Sequence, residues 1–157
     1  MDTIVVATDG SQAGSQALAE AIGLARALAC RLLIVTVWRP VQGDFGLPYS
    51  NLGVAAELVE AERGHAELTL ADAKASAERA GLKVETALRS GDPATEICRL
   101  AAAEQATLVV VGSHGHGFML TVLLGSVSAA VLHRAPCPVV VVRAPTEAEE
   151  SPAEAPA

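Results

Sequence analysis

Three glycines and a serine with the spacing Gly-x2-Gly-x9-Gly-Ser form the segment of this chain best suited to chemistry. They are Gly112, Gly115, Gly125 and Ser126. Glycines let backbone N–H groups approach an anion closely, and a helix start adds unpaired N–H groups and a positive dipole end. A buried strand is predicted to lead in over 107–111, and a helix to follow over 126–133. The pattern indicates a phosphate loop in which the Ser126 hydroxyl either caps the helix or donates to a phosphate oxygen.

The charge of this segment also favours an anion. The chain has a formal net charge of -7, yet no Asp or Glu occurs from Gln105 through Thr146. No Lys-Ser or Lys-Thr follows the glycines, as a Walker A loop requires, and Leu120 stands where the dinucleotide fingerprint has its third glycine. The segment is therefore an anion site of another type or, alternatively, a glycine-rich loop without a ligand.

A second loop with suggestive chemistry, Thr8-Asp9-Gly10-Ser11, follows the first predicted strand. Ligands of parallel sheets bind beyond the carboxyl ends of the strands, so the two loops face one crevice if their strands are neighbours. Asp9 has two interpretations: it contacts a ligand, or it belongs to an ordinary Asp-Gly-Ser turn and helix cap.

The elements that position these loops alternate between strand-like and helix-like blocks, which favours an α/β fold with a parallel sheet. Five strands are predicted, at 3–7, 31–37, 82–88, 107–111 and 138–142. Four helices are predicted: one after the Ser11 cap, one over 54–80 closed by Gly81, one from Asp92-Pro93 to near Gln105, and one over 126–133. Residues 39–51 form a predicted loop. The tail 144–157, rich in Ala, Pro and Glu, is predicted to be disordered.

Composition excludes several classes of function. A length of 157 residues is that of a single domain. A composition of 51% hydrophobic and 3% aromatic residues is typical of a buried parallel sheet. A pI near 5.0 argues against nucleic acid and anionic membranes as partners. The longest apolar stretch, 118–132, is too short and too interrupted to span a membrane. Cys30, Cys98 and Cys137 form no CxxC pair, which favours reduced thiols and a cytoplasmic location.

The glycine segment and its surroundings closely resemble the universal stress protein family. The likeness runs from Ile4 to Val142 and includes Ala7-Thr8-Asp9-Gly10-Ser11 and the helix start Gly91-Asp92-Pro93. The complete glycine motif is the one that marks the ATP-binding branch of that family. The resemblance implies a single open five-stranded parallel sheet flanked by helices, Rossmann-like or nucleotide alpha-hydrolase-like, with strand order 3-2-1-4-5. This domain would span 1–143.

The resemblance also implies an ATP site. The expected cofactor-binding residues are Ala7, Thr8, Asp9, Val37, Val111, Gly112, Gly115, Gly125, Ser126 and Val127. The residues near the first strand would line the adenosine, Val37 would lie against the base, and the glycines with Ser126 would contact ribose and phosphates. Val127 would extend the row of N–H groups. A divalent ion, Mg²⁺ or Mn²⁺, would be carried by the nucleotide.

Four histidines require a separate interpretation. His114 and His116 lie in the glycine segment, but two imidazoles without a nearby Cys or carboxylate do not supply the three or four ligands of a metal site. We expect them to be exposed near the triphosphate, where partial protonation favours an anion. His65 and His133, on predicted helices, are expected to be partly buried structural residues.

The expected function is that of a cytosolic ATP-binding stress-response regulator or sensor with slow or no turnover. Hydrolysis of a γ-phosphate needs a base and a cation, whereas the glycine segment has no carboxylate, no Lys, and no Arg before Arg134. Weak ATPase activity or autophosphorylation stays open. The alternatives are an ATP-hydrolysing or phosphotransfer enzyme on the same fold, and a scaffold with a vestigial cleft. The last strand, Val139–Val142, is expected to form a homodimer, as it does in the resembled family.

Overall fold

Strands and helices alternate along the chain in a computed structural model that describes residues 2–40, 52–114 and 124–144. In chain order the elements are β1 (Thr3–Ala7), α1 (Gln12–Leu28), β2 (Arg31–Trp38), α2 (Leu52–Arg79), β3 (Val84–Ser90), α3 (Pro93–Ala103), β4 (Leu108–Gly112), α4 (Ser126–Arg134) and β5 (Val139–Val142). Every predicted strand and helix is present, with boundaries that differ by at most two residues. Most of the predicted 39–51 loop, and the predicted tail after Ala144, lie outside the described residues.

The strands form one parallel sheet in the order β3-β2-β1-β4-β5, which confirms the predicted order. The central strand β1 pairs with β2 from Thr3↔Arg31 to Ala7↔Val35. On its other side β1 pairs with β4 from Ile4↔Leu108 to Val6↔Val110. The chain runs outward to β3 and then returns across β1 to build β4 and β5. Such a reversal of strand order leaves a crevice above the carboxyl ends of the central strands.

The core has two layers because successive strand side chains point to opposite faces of the sheet. One face packs against α1 and α2 through Ile4, Val6, Leu32, Ile34 and Val110. The other packs against α3 and α4 through Val5, Leu33, Val35, Val109 and Val111. Both faces of the sheet are therefore covered by helices. None of the helices in the described part of the chain is long and apolar enough to cross a membrane.

The start of β3 shows why one boundary differs from its prediction. Gly81, predicted to close α2, adopts a φ of +82° and donates its N–H to the Glu78 carbonyl at 2.9 Å. The next N–H, that of Leu82, donates to the Ala77 carbonyl at 3.1 Å. Leu82 thus completes the helix terminus and does not begin the strand, which starts at Val84.

Candidate functional site

A cleft of about 520 Å³ lies above the carboxyl ends of β1, β2 and β4. Nine of the ten predicted cofactor-binding residues line it: Ala7, Thr8, Asp9, Val37, Val111, Gly112, Gly125, Ser126 and Val127. The tenth, Gly115, and also His116, lie outside the described residues. The fold thus brings together residues that are more than a hundred positions apart in the sequence. Their contact with a ligand stays a prediction.

The loop after β1 forms the turn that was one of two interpretations of Asp9. Asp9 Oδ1 accepts hydrogen bonds from the Ser11 N–H at 3.0 Å and from the Ser11 hydroxyl. The Ser11 hydroxyl oxygen accepts in turn from the Gly14 N–H at 3.1 Å, which makes Ser11 the N-cap of α1 as predicted. Asp9 also lines the cleft, so its structural role leaves the ligand role open.

Helix α1 approaches the ends of β1 and β4 very closely. A Cβ on Gly112 would lie 2.7 Å from the Ala13 carbonyl carbon and 2.8 Å from its oxygen. A Cβ on Gly14, a cleft residue that the sequence analysis missed, would lie 2.8 Å from Asp9 Oδ1. Both positions need glycine because backbone or a hydrogen-bonded carboxylate fills the space. Glycine at 112 therefore has a structural requirement in addition to its predicted contact with a ligand.

The start of α4 forms the opposite wall of the cleft. Its N-cap is Gly125, and no side chain of the described residues caps the helix. Ser126 is thus the first residue of the helix, so of its two interpretations the capping one is wrong, and the contact with phosphate stays a prediction. The first N–H groups of a helix have no partner within the helix. Here the Gly125 N–H donates to the Ser113 carbonyl at 2.6 Å, and the Ser128 hydroxyl donates to the Gly112 carbonyl, which fixes the helix start against β4.

The end of β2 presents backbone groups to the cleft. Along β2 the backbone groups of successive residues point alternately to the two neighbouring strands. The Val35 carbonyl accepts from the Thr8 N–H at 3.0 Å on the β1 side. The Trp38 carbonyl accepts from the Gly91 N–H at 3.0 Å on the β3 side. Val37, two residues after Val35, points its N–H and C=O to the β1 side, where β1 has already ended. Neither group has a backbone partner among the described residues. In the part of the chain that the structure describes, a backbone donor and a backbone acceptor without a backbone partner therefore lie side by side.

One face of α2 completes the cleft, and the sequence analysis missed it. Glu62, His65, Ala66 and Thr69 recur at helical spacing and line the cleft. His65 is exposed, contrary to the expectation of partial burial, because its neighbour Ala66 occupies the buried face. His133 on α4 is exposed as well, so that expectation is also wrong. The spacing was visible in the sequence, but the approach of α2 to β2 was not.

Charged groups meet at the rim of the cleft where α3 begins. Asp92 caps α3 by accepting from the Thr95 N–H at 3.0 Å and from the Thr95 hydroxyl at 2.7 Å. The guanidinium groups of Arg39 and Arg134 each lie 3.6 Å from this carboxylate. The hydrogen bonds from Thr95, followed by the two arginines, hold the pKa of Asp92 below its ordinary value. Arg39, which lines the cleft, is therefore held near the start of α3.

The described residues do not themselves form a metal site. No group of three or more His, Cys, Asp or Glu side chains in the described ranges could hold a metal ion. His114, expected to be exposed, is half-buried with its Nδ1 3.0 Å from the Ser113 hydroxyl.

A parallel sheet covered by helices on both faces, with a cleft where its strand order reverses, defines the Rossmann-like class of α/β proteins. Within this class, residues 1–143 match the model of the universal stress protein family. A universal stress protein of Thermus aquaticus is 36% identical over 141 residues, which cover 90% of this chain and 98% of the relative. The chain belongs to the universal stress protein family.

Solved structures of the family have the same fold. The universal stress protein UspA from Lactobacillus plantarum matches with a TM-score of 0.80 at 26% identity, over 90% of this chain and 97% of that chain. A universal stress protein solved in complex with cAMP matches with a TM-score of 0.67 at 31% identity, over 92% of this chain and 98% of that chain.

Proposed function

We propose that this chain is a cytoplasmic stress-response protein that binds an adenine nucleotide, ATP, and senses or buffers it with slow or no turnover. One observation carries the proposal: the outward-facing backbone edge of Val37 and the start of α4, neither of them paired or capped by the described residues, lie in the same cleft. The first suits a base and the second suits a phosphate. A family member of known structure binds cAMP, an adenine nucleotide, which supports the same ligand class here.

The backbone of Val37 matches the hydrogen-bonding edge of adenine. The amino group at C6 of adenine donates, and the neighbouring ring nitrogen N1 accepts. A base placed beside Val37 would donate to its C=O and accept from its N–H. Guanine and hypoxanthine have an oxygen at C6 and a hydrogen on N1, so they would set acceptor against acceptor and donor against donor. The side chains of Trp38 and Ile97 lie at the same cleft and offer apolar surface to a base.

The start of α4 suits the phosphates. The N–H groups of Ser126 and Val127 have no partner within the helix, and the positive end of the helix dipole lies there. Ser126 is exposed, and its hydroxyl could donate to a phosphate oxygen. With a triphosphate, Mg²⁺ or Mn²⁺ would arrive bound to the phosphates, because the described residues offer no cluster of metal ligands.

The described cleft favours binding over rapid hydrolysis. Its carboxylates are Asp9 and Glu62, and Asp9 Oδ1 already accepts from Ser11. The guanidinium of Arg39, the one Lys or Arg of the described lining, lies 3.6 Å from the Asp92 carboxylate at the rim. A phosphoryl-transfer site combines a positioned base with a cation on the developing charge. An ATP-hydrolysing or phosphotransfer enzyme is the alternative function.

The test is a titration of the purified protein with ATP and ITP in the presence of Mg²⁺, followed by calorimetry and by the emission of Trp38, the chain's single tryptophan. We expect ATP to bind and ITP to bind at least about tenfold more weakly, because inosine leaves the Val37 groups unpaired. Absence of adenine-nucleotide binding would overturn the proposal. Turnover of ATP above about 1 s⁻¹ would favour the enzyme.

We also propose a homodimer through β5. The carbonyls of Pro138 and Val142 accept from β4, so the backbone groups of Val139 and Val141 point to the outer edge of the sheet. No described strand pairs with this edge. An antiparallel copy with its two-fold axis at Val140 would place Val139 opposite Val141 of the partner and pair all of these groups.

A further inference from the structure

The cleft contains little positive charge. Arg39 is the only Lys or Arg among its described lining residues, and its guanidinium lies 3.6 Å from Asp92. The internal segments outside the described residues, 41–51 and 115–123, contain no Lys or Arg in their sequence. Two carboxylates, those of Asp9 and Glu62, line the cleft as well. The formal charges of Asp, Glu, Lys and Arg in the described lining therefore sum to a negative value.

Among the described residues, the start of α4 also contributes positive potential to the cleft. A helix N-terminus is equivalent to about half an elementary charge, which falls off within one turn. A phosphomonoester carries nearly two negative charges at neutral pH, and a triphosphate carries about twice as many. Backbone N–H groups at this helix match one phosphate group. They leave the charge of two further phosphates without a cationic partner among the described residues.

We propose that the cleft discriminates among adenine nucleotides by phosphate charge: it binds AMP with or without a divalent cation, and ATP only as the complex with Mg²⁺. This rests on the proposed nucleotide function. Binding of Mg²⁺ to the phosphates lowers the charge of ATP to about that of AMP, and the carboxylates at the cleft then repel both ligands to a similar extent. Within this chain, the opposite charges of Arg39 and Glu62 affect how strongly the cleft attracts or repels the phosphates.

The inference is tested by calorimetric titration with AMP and with ATP, each in excess Mg²⁺ and in EDTA, at constant ionic strength. We expect removal of Mg²⁺ to lower the affinity for ATP at least about tenfold and to change the affinity for AMP by less than about twofold. ATP that binds in EDTA as tightly as AMP would overturn the charge inference and leave the proposed function standing. Absence of binding by all adenine nucleotides would overturn the proposed function itself.

A matched pair of variants assigns the effect to the cleft. Glu62→Gln removes a carboxylate from the lining, and Glu57→Gln removes one from an exposed position on the same helix that does not line the cleft. In EDTA, Glu62→Gln should raise the affinity for ATP relative to AMP by about two- to threefold, and Glu57→Gln should leave the ratio unchanged. Arg39→Gln should lower the ratio. Equal changes of the ATP-to-AMP affinity ratio in both glutamate variants would overturn a local effect and would indicate that the net charge of the chain causes the discrimination.

Discussion

At the scale of single residues, two glycines of the motif, Gly112 and Gly125, have little room for a side chain in this fold whether or not a ligand is present. A Cβ at Gly112 would collide with the backbone of Ala13, and one at Gly125 would lie 3.0 Å from the Ser113 carbonyl oxygen. The first contact lets α1 pack on the end of β4, and the second lets α4 begin next to the loop after β4. Loss of nucleotide binding in a variant of either glycine would therefore not separate ligand contact from misfolding.

The structural role of Gly112 predicts that Gly112→Ala lowers the free energy of unfolding by about 1–3 kcal/mol, because backbone atoms of Ala13 cannot move aside cheaply. Gly23 on α1 is a matched control, since no atom lies within 4 Å of a Cβ built there. Gly23→Ala should stabilise the protein by about 0.5–1 kcal/mol, the cost of glycine inside a helix. Urea unfolding measures both. A higher free energy of unfolding for Gly112→Ala than for the wild type would contradict a steric conflict with Ala13.

At the scale of elements, the start of α3 links helix stability to the rim of the cleft. Asp92 caps the helix, Pro93 occupies its first turn, and the same carboxylate faces Arg39 and Arg134. The Asp-Pro signal is local, which is why the sequence predicted this helix start correctly. The two arginines come from other parts of the chain, and their convergence depends on the packing of β2 and α4 around α3.

The lowered pKa of Asp92 predicts a pH-dependent contribution to stability. Asp92→Ala should cost about 1 kcal/mol at pH 7, a typical value for an N-cap. Because the pKa is lower in the folded state, the carboxylate's contribution is complete above the unfolded-state value, near about 3.9, and is lost as pH falls through the folded-state value. The difference between wild type and Asp92→Ala in urea unfolding should therefore shrink from pH 5 to pH 3.

Asp92→Asn provides the control for this titration. Asparagine caps a helix without a charge. The difference in free energy of unfolding between Asp92→Asn and Asp92→Ala should therefore not shrink between pH 5 and pH 3. A constant difference between wild type and Asp92→Ala from pH 7 to pH 3 would contradict a role for the ionised group.

At the scale of the whole molecule, the sheet of the described residues ends at β5 with a row of backbone groups that no described strand pairs. A bare apolar edge is prone to pair with another strand. All four residues of β5 are half-buried valines, which pack on both layers of the core and leave the outer edge open. A second copy of the chain covers such an edge without exposing a new one.

The proposed dimer predicts a mass of about twice the 16.0 kDa of the chain in multi-angle light scattering. Val141→Pro should give the monomer. Its missing N–H faces the outer edge, where proline is tolerated, so the bonds to β4 are kept. Val141→Thr, a β-branched control that retains the N–H, should stay dimeric. A wild-type protein that is monomeric at 100 μM would contradict the proposal.

The fold could be predicted from local signals, and the site only in part. Apolar runs, Gly81 and the Asp92-Pro93 pair define elements within a few residues of themselves. Loops at the ends of parallel strands then indicate a crevice. The cleft residues of α2, such as His65, were missed because their placement depends on how a long helix packs against β2. The steric requirement for glycine at position 112 was not predicted, since its contact with Ala13 joins residues far apart in sequence.

The reversal of strand order at β1 has a mechanical consequence. The first half of the chain builds β1, β2 and β3, and the second half builds β4 and β5, so the cleft lies on the boundary between the two halves. A nucleotide held by Val37 on one side and by Ser126 on the other would act as a crosslink between them. The presence of the nucleotide would then raise the resistance of the two halves to separating. A stress protein could give such a signal without performing any chemistry.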